Sequence, residues 1–324
     1  MKIKRIAAIL LVLAVFLPLL VSCGENKTVM TIGDFEVPYH VYRYVVINSR
    51  REIEKQYGED VWDSKNADKA EKELKENIKN AIANLYTVIA IGAEYDLTWD
   101  SGAVSAEAKM TRDEIMLEYE DEKEFLASLK ENAMTETTFM FLISNDILNN
   151  EAYSAMVDSD KNFSNEDYMM NKFKSDDFIR VKQILVGGEN AGTDEQNLKK
   201  ANELKAKLEA GADFDAVSKE YNNDLLMFNN DDGYYIMKGT RDFEFETAAF
   251  SLKVGEVSDV VKTSAGYSII KRYEKEDSYI EEHFADLVEE YLESLYTVKY
   301  ETKFEEIYGK IGELPKKYNI LTLQ

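Results

Sequence analysis

Hydrophobic positions along this chain fall into distinct textures. Ile6 to Val21 is an almost unbroken apolar run, interrupted only by Pro18, and it follows a short basic start at Lys2, Lys4 and Arg5. That is the layout of a secretory signal, and the run is shorter than the roughly 20 residues a helix needs to span a bilayer. From Asp68 to Asp96 the pattern changes: Leu74, Ile78, Ile82, Leu85 and Ile89 recur every three or four positions, which predicts an amphipathic helix. The same period returns from Tyr279 to Ile311, with Phe284, Leu287, Val288, Tyr291, Leu295 and Val298 on one face. The Leu74–Ile89 stripe is the natural partner for that face.

Between these helices lie shorter elements. Val29 to Ile32, Gly33-Asp34 and Phe35 to Val37 read as a small hairpin with a two-residue turn, after which Pro38 opens a helix running to about Tyr57. Helices are predicted around Ser105–Tyr119, Glu122–Asn132 and Thr135–Met156. Ser164 with Asp167 offers a capping-box-like start for another, Asn165 to Phe173. Ile179 to Val186 reads as a strand, Gln196–Ala210 and Phe214–Tyr221 as helices, and Val260-Val261 and Tyr267–Arg272 as strands either side of an Ala265-Gly266 turn. The expected fold class is α+β: a helical domain built from the N- and C-terminal flanks, with an inserted α/β domain. The expected segments are 1–22 as a leader, 23–177 as a helical domain, 178–274 as the α/β insert, and 275–324 as a C-terminal helix completing the helical domain. No internal repeat or low-complexity linker interrupts them.

Composition narrows the function classes. The hydrophobic fraction of 45% supplies a core. Cys23 is the only cysteine, so no disulfide within the chain can staple the fold. With only His40 and His283, both on helical flanks, a histidine-rich metal site or a Ser-His-Asp centre is nearly excluded, and no metal or cofactor is expected. The net charge of -23 becomes more negative once Lys2, Lys4 and Arg5 are removed. Such a surface repels nucleic acid and favours cationic partners, besides keeping the chain soluble.

Leu20-Val21-Ser22-Cys23 resembles a lipobox. In that kind of signal the cysteine is lipidated and becomes the new N-terminus, which implies an extracytoplasmic protein tethered to the cell membrane by lipid on Cys23.

The insert carries a second resemblance. Val181-Lys182-Gln183-Ile184-Leu185-Val186, Gly211-Ala212-Asp213-Phe214, Phe245-Glu246-Thr247-Ala248-Ala249-Phe250, Val254-Gly255-Glu256-Val257-Ser258 and Lys262-Thr263-Ser264-Ala265-Gly266-Tyr267-Ser268-Ile269-Ile270-Lys271 resemble the parvulin family of peptidyl-prolyl isomerases. The whole-chain layout is similar to PrsA-type foldase lipoproteins and SurA-type chaperones, in which helical flanks form a chaperone domain around a parvulin insert. The resemblance implies unfolded or secreted polypeptides as partners.

It also implies site residues. The family's Cys/Asp position matches Asp224, its threonine matches Thr263 and its pocket phenylalanine matches Phe245. The two family histidines fall on Gln183 and Ser268; the pocket leucine falls on Gly233 and the pocket methionine on Arg241. Gln and Ser still donate and accept hydrogen bonds, while Gly233 and Arg241 remove apolar grip. The expected insert is therefore a degenerate isomerase, with an active isomerase bearing an atypical site as the alternative. Read without the resemblance, Asp224 is a loop residue, Phe245 core, and Thr263 and Ser268 strand-turn hydrogen bonders. A solute-binding lipoprotein is a more remote reading, against which the two long helices argue.

Overall fold

The computed structural model describes residues 24–188, 192–227 and 230–324. The apolar leader and Cys23 lie outside the described residues. In chain order, β1 (Thr28–Ile32) and β2 (Phe35–Pro38) lead into α1 (Tyr39–Tyr57), α2 (Ala67–Glu94), α3 (Gly102–Met116), α4 (Glu122–Glu131), α5 (Glu136–Ser159) and α6 (Glu166–Lys174). Then come β3 (Phe178–Gly187), α7 (Asp194–Glu209), α8 (Phe214–Tyr221), β4 (Tyr234–Met237), α9 (Phe243–Ser251), β5 (Val261–Thr263) and β6 (Gly266–Tyr273), followed by α10 (Asp277–Glu282) and α11 (Phe284–Gly309). The fold class is α+β, helical flanks around an α/β insert. Among the described residues no helix is long and apolar enough to cross a membrane.

Several element ends differ from the sequence expectation. Pro38 is the last residue of β2 and caps α1 rather than opening it. The cap of α6 is Asn165, whose side chain accepts from Tyr168 N at 2.9 Å; Ser164 Oγ instead donates to Lys161 O. A true capping box occurs at Thr193 and Gln196, ahead of α7. The single C-terminal helix is broken at His283, whose backbone leaves the helical region while its ring stacks on Tyr279, centroids 4.0 Å apart.

The chain divides into two compact units. The first comprises residues up to Ile82, Tyr119–Phe139 and Ile311–Gln324. Its buried residues include Ile32 and Val37 of the hairpin, Val41, Tyr42, Val45 and Val46 of α1, and Leu74 and Ile78 of α2. The C-terminal tail closes onto α1. Arg43 Nε donates to Gln324 O at 2.7 Å, Arg50 donates to Leu323 O at 3.0 Å, and the Tyr318 ring lies 5.3 Å from that of Tyr39.

The second unit, Ala83–Glu118 with Met140–Lys310, holds a four-stranded antiparallel sheet of order β4-β3-β6-β5. Alternation along the strands sends successive side chains to opposite faces. Ile184, Val186, Tyr267 and Ile269 pack with Ala201 and Leu204 of α7 and Phe214 and Val217 of α8. Ile179, Val181, Ile236 and Ile270 pack on the other side with Phe245, Ala249 and Leu252 around α9. Entry to and exit from this α/β segment are pinned by Lys275. Its ammonium donates to the carbonyls of Phe173 (3.2 Å), Ser175 and Phe178 (3.1 Å), and desolvation holds its pKa below the usual lysine range.

The apolar face of α11 finds its partners within the second unit. Leu287, Tyr291 and Leu292 bury with Met169 and Phe173 of α6, Phe178 of β3, and Tyr235 and Met237 of β4. Each such side chain contributes roughly 1.5–3 kcal/mol on burial, so the helix is anchored to the sheet. Its later turns make polar contacts: Tyr296 OH to Asn149 Oδ1 at 2.8 Å, Tyr300 OH to Asn84 Oδ1 at 3.1 Å, and Lys303 to Glu94 at 2.8 Å.

Candidate active site

The site lies on the α9 face of the sheet, where register brings two polar residues together. Leu185 of β3 pairs with Ser268 of β6, and Gln183 pairs with Ile270, so Gln183 and Ser268 are diagonal neighbours on one face. Ser268 Oγ donates to Gln183 Oε1 at 2.9 Å, and Gln183 Nε2 donates to Asp224 Oδ2 at 2.6 Å. Ser268 is only 1% exposed, so its hydroxyl needs that partner.

Asp224 is held there by the two asparagines before it. β4 pairs with β3 only at Phe178–Val181, leaving the edge beyond Val181 without a strand on that side. Asn222 and Asn223 fill the gap. Asn222 accepts from Leu185 N at 2.8 Å and donates to Gln183 O at 2.7 Å, while Asn223 N donates to Leu185 O at 2.9 Å. The backbone's hydrogen-bonding need is met by a loop, and that loop places its carboxylate against Gln183.

Tyr234 completes the network, and sequence reasoning missed it. Its hydroxyl donates to Asp224 Oδ2 at 2.8 Å. Burial, then the hydrogen bond to Asp224, pushes its pKa far above the usual tyrosine value, so it stays a donor. Gly233, the position matched to the family's pocket leucine, does not form the wall. It adopts φ +79°, and a Cβ there would meet Val181 O at 2.6 Å. Tyr234 takes up the wall instead. The only sequence signal was its position directly after Gly233.

These residues line a cleft of about 550 Å³. Ile236 and Leu185 add apolar wall, and Phe245, 8% exposed, both lines the cleft and packs in the core beneath it. Thr263 lines the cleft without joining the network; its hydroxyl donates to Gly266 O at 3.2 Å across the turn. Arg241 stands at the mouth. Its guanidinium lies 5.4 Å from the Tyr234 ring centroid and 3.6 Å from Glu290, with the side chain 39% exposed. The loop carrying it is clasped by Glu246, whose Oε1 accepts from the backbone amides of Gly239 (2.8 Å), Thr240 (2.6 Å) and Arg241 (2.8 Å). Glu290, Thr297, Val298 and Glu301 of α11 form part of the wall, a contribution that residue spacing gave no means to find. Burial raises the Glu290 pKa, with Arg241 pulling the other way.

Chemically the site offers an apolar floor, a fixed chain of donors ending on the Asp224 carboxylate, and further carboxylates of Asp242, Glu290 and Glu301 along its wall. Nothing in it is set up as a nucleophile with a base. Among the described residues no group of three or more His, Cys, Asp or Glu side chains is placed to hold a metal ion.

Residues 178–274 match the rotamase family model, the PPIC-type PPIase domain, and are a parvulin-type domain. The chain is 42% identical over 99 residues to foldase protein PrsA 2 of Bacillus cereus, covering 30% of this chain and 31% of that protein. It is 40% identical over 102 residues to foldase protein PrsA of Bacillus subtilis, covering 31% and 32%. A parvulin-like PPIase of Rickettsia bellii is 36% identical over 167 residues, covering 50% and 55%. Among solved structures, the peptidylprolyl isomerase PrsA of Bacillus anthracis aligns over 69% of this chain and 95% of its own at 25% identity, with a TM-score of 0.40. The matched region spans about a third of the length of the first two foldases. The chain is thus similar to PrsA-type foldases and carries a PPIC-type domain.

Proposed function

We propose that this chain, with a parvulin-type domain at 178–274 and helical flanks at 23–177 and 275–324, is an extracytoplasmic foldase tethered to the cell membrane by lipid on Cys23. Its clients are unfolded or newly secreted polypeptides. The parvulin domain binds prolyl segments and isomerises them weakly, and the flanks act as a chaperone.

The observation that carries this reading is the Ser268–Gln183–Asp224–Tyr234 network beside Phe245 in one cleft. Rotation about a peptide bond meets a barrier of about 18–20 kcal/mol. It is lowered by gripping the proline in an apolar pocket and favouring the twisted amide, with no covalent step. Phe245, Ile236 and Leu185 supply the grip, and the network keeps the polar wall rigid. Arg241 in place of an apolar pocket residue weakens the grip. A tenfold change in rate needs only about 1.4 kcal/mol, so that loss is enough to reduce turnover substantially.

The test is a prolyl-peptide isomerisation assay on the full chain beside suppression of client aggregation, with Gln183→His/Ser268→His as comparison. Aggregation suppression with weak turnover that rises in the double variant is expected. Strong turnover in the unaltered protein, abolished by Asp224→Ala, replaces this reading with that of an active isomerase. Absence of both activities overturns it. Tethering is tested by fractionation of Cys23→Ser: release from membranes is expected, and retention after normal processing overturns the anchor.

A further inference from the structure

The cleft does not end at the parvulin domain. It shares Asp242 and Glu301 with a hollow of about 580 Å³ that includes Phe304 and Glu305 of α11. That hollow shares Asn84 and Tyr300 with a third, of about 370 Å³, walled by Leu85 and Val88 of α2 and Leu142 and Asp146 of α5. All three belong to the second compact unit. The Tyr300 OH···Asn84 hydrogen bond lies where the second and third meet.

We infer that the three hollows form one track for an extended polypeptide that carries Lys or Arg among apolar residues, with its proline seated in the cleft. This rests on the prolyl-segment reading of the cleft and specifies its clients.

Two observations single out that occupant. The first is continuity. Each hollow shares two lining residues with the next, so a chain leaving the cleft past Asp242 and Glu301 enters the second hollow and reaches the third beside Tyr300. An extended strand advances about 3.3 Å per residue and presents side chains alternately, which suits a track with apolar surfaces at intervals. Those surfaces are Phe245 in the cleft, Phe304 in the second hollow, and Leu85 and Leu142 in the third.

The second observation is charge. Asp242, Glu290, Glu301, Glu305 and Asp146 line the track, and Arg241 is the only cationic lining residue among those described. Arg241 is already engaged by Glu290. Glu301, Glu305 and Asp146 are exposed, so they supply a field along the track at little desolvation cost. Such a field draws in cationic segments and repels acidic ones, and it weakens as salt screens it.

The experiment compares three fluorescent peptides on the full chain: a prolyl tetrapeptide, a peptide of roughly twelve residues with one proline and flanking Lys and Leu, and the same peptide with Glu for Lys. It is repeated on Glu305→Lys/Asp146→Lys, both exposed positions remote from the network. The long basic peptide is expected to bind roughly tenfold more tightly than the tetrapeptide or the acidic peptide, to lose that advantage in the double variant and to weaken with salt. A photoreactive group at its end remote from proline is expected to label the chain near Leu85–Val88 or Leu142–Asn149. Equal binding of long and short peptides, indifferent to the double variant, overturns the track while leaving the cleft reading intact. Loss of self-association in the double variant, with no peptide effect, overturns it in favour of a second copy of this chain. Failure of every peptide to bind overturns the track and the cleft reading together.

Discussion

The Gln183 carboxamide spans the 85-residue sequence separation between β3 and β6 by accepting from Ser268 at 2.9 Å, and at 2.6 Å it donates to the Asp224 carboxylate. Each end of the amide therefore has a fixed polarity. Asp224 receives a second donor from Tyr234, so three side chains on β3, β4 and β6 are locked through one loop carboxylate. Histidines would titrate near neutral pH; Gln183 and Ser268 carry no such switch.

Removing that carboxylate should be costly. Asp224→Ala leaves the Gln183 amide and the Tyr234 hydroxyl without their acceptor; both are half-buried and face the cleft, where water can replace the carboxylate in part, so the loss should be about 1 kcal/mol. Urea denaturation should show that loss, with a smaller one for Asp224→Asn, which keeps one acceptor oxygen. Equal stability of Asp224→Ala and the parent would mean that the network is not maintained in solution.

Gly233→Ala should be more damaging than an ordinary loop substitution. The residue sits at φ +79° and a Cβ would lie 2.6 Å from Val181 O, a backbone atom that cannot rotate away. Strain of about 1–3 kcal/mol is expected, with displacement of Tyr234. Thermal melting together with loss of protection of the β3–β4 amides in hydrogen exchange checks both parts.

The first unit should weaken in mild acid. His40 is 5% exposed, its Nδ1 lies 3.3 Å from Thr138 Oγ1, and burial lowers its pKa to about 4. The unfolded chain takes up the proton near pH 6.5 and the folded one does not, so stability is full above about pH 6.5 and declines as pH falls toward 4. The decline should reach about 2–3 kcal/mol. In His40→Gln the slope of stability against pH should shrink by one proton over that window.

Thr87→Val should stabilise the protein. The Thr87 hydroxyl is fully buried and has no hydrogen-bond partner among the described residues. A methyl in its place removes a desolvation cost at nearly constant volume, worth about 1 kcal/mol. Chemical denaturation of the single variant gives the sign directly.

Local period and local chemistry encode part of this fold. The apolar repeat of Leu74, Ile78 and Ile82 specifies helix α2, the Gly33-Asp34 link specifies the hairpin, and the ordered motifs from Val181 to Lys271 specify the parvulin-type insert. Gln183, Asp224, Thr263, Ser268 and Phe245 were singled out through the resemblance to the parvulin family rather than by spacing alone, and all five line the cleft. Other features depend on contacts between distant segments. A stripe such as Leu287–Tyr291 records that a face must be buried but not against what, and α6 with the sheet covers it. Tyr234 reaches Asp224 because of a four-residue strand too short to show a period and a glycine whose positive φ is visible only in the folded chain. Glu290 and Glu301 enter the cleft wall from a helix more than a hundred residues beyond Gln183. Burial and encounter between distant segments depend on the sum of all packing contacts, and no local stretch of sequence holds that sum.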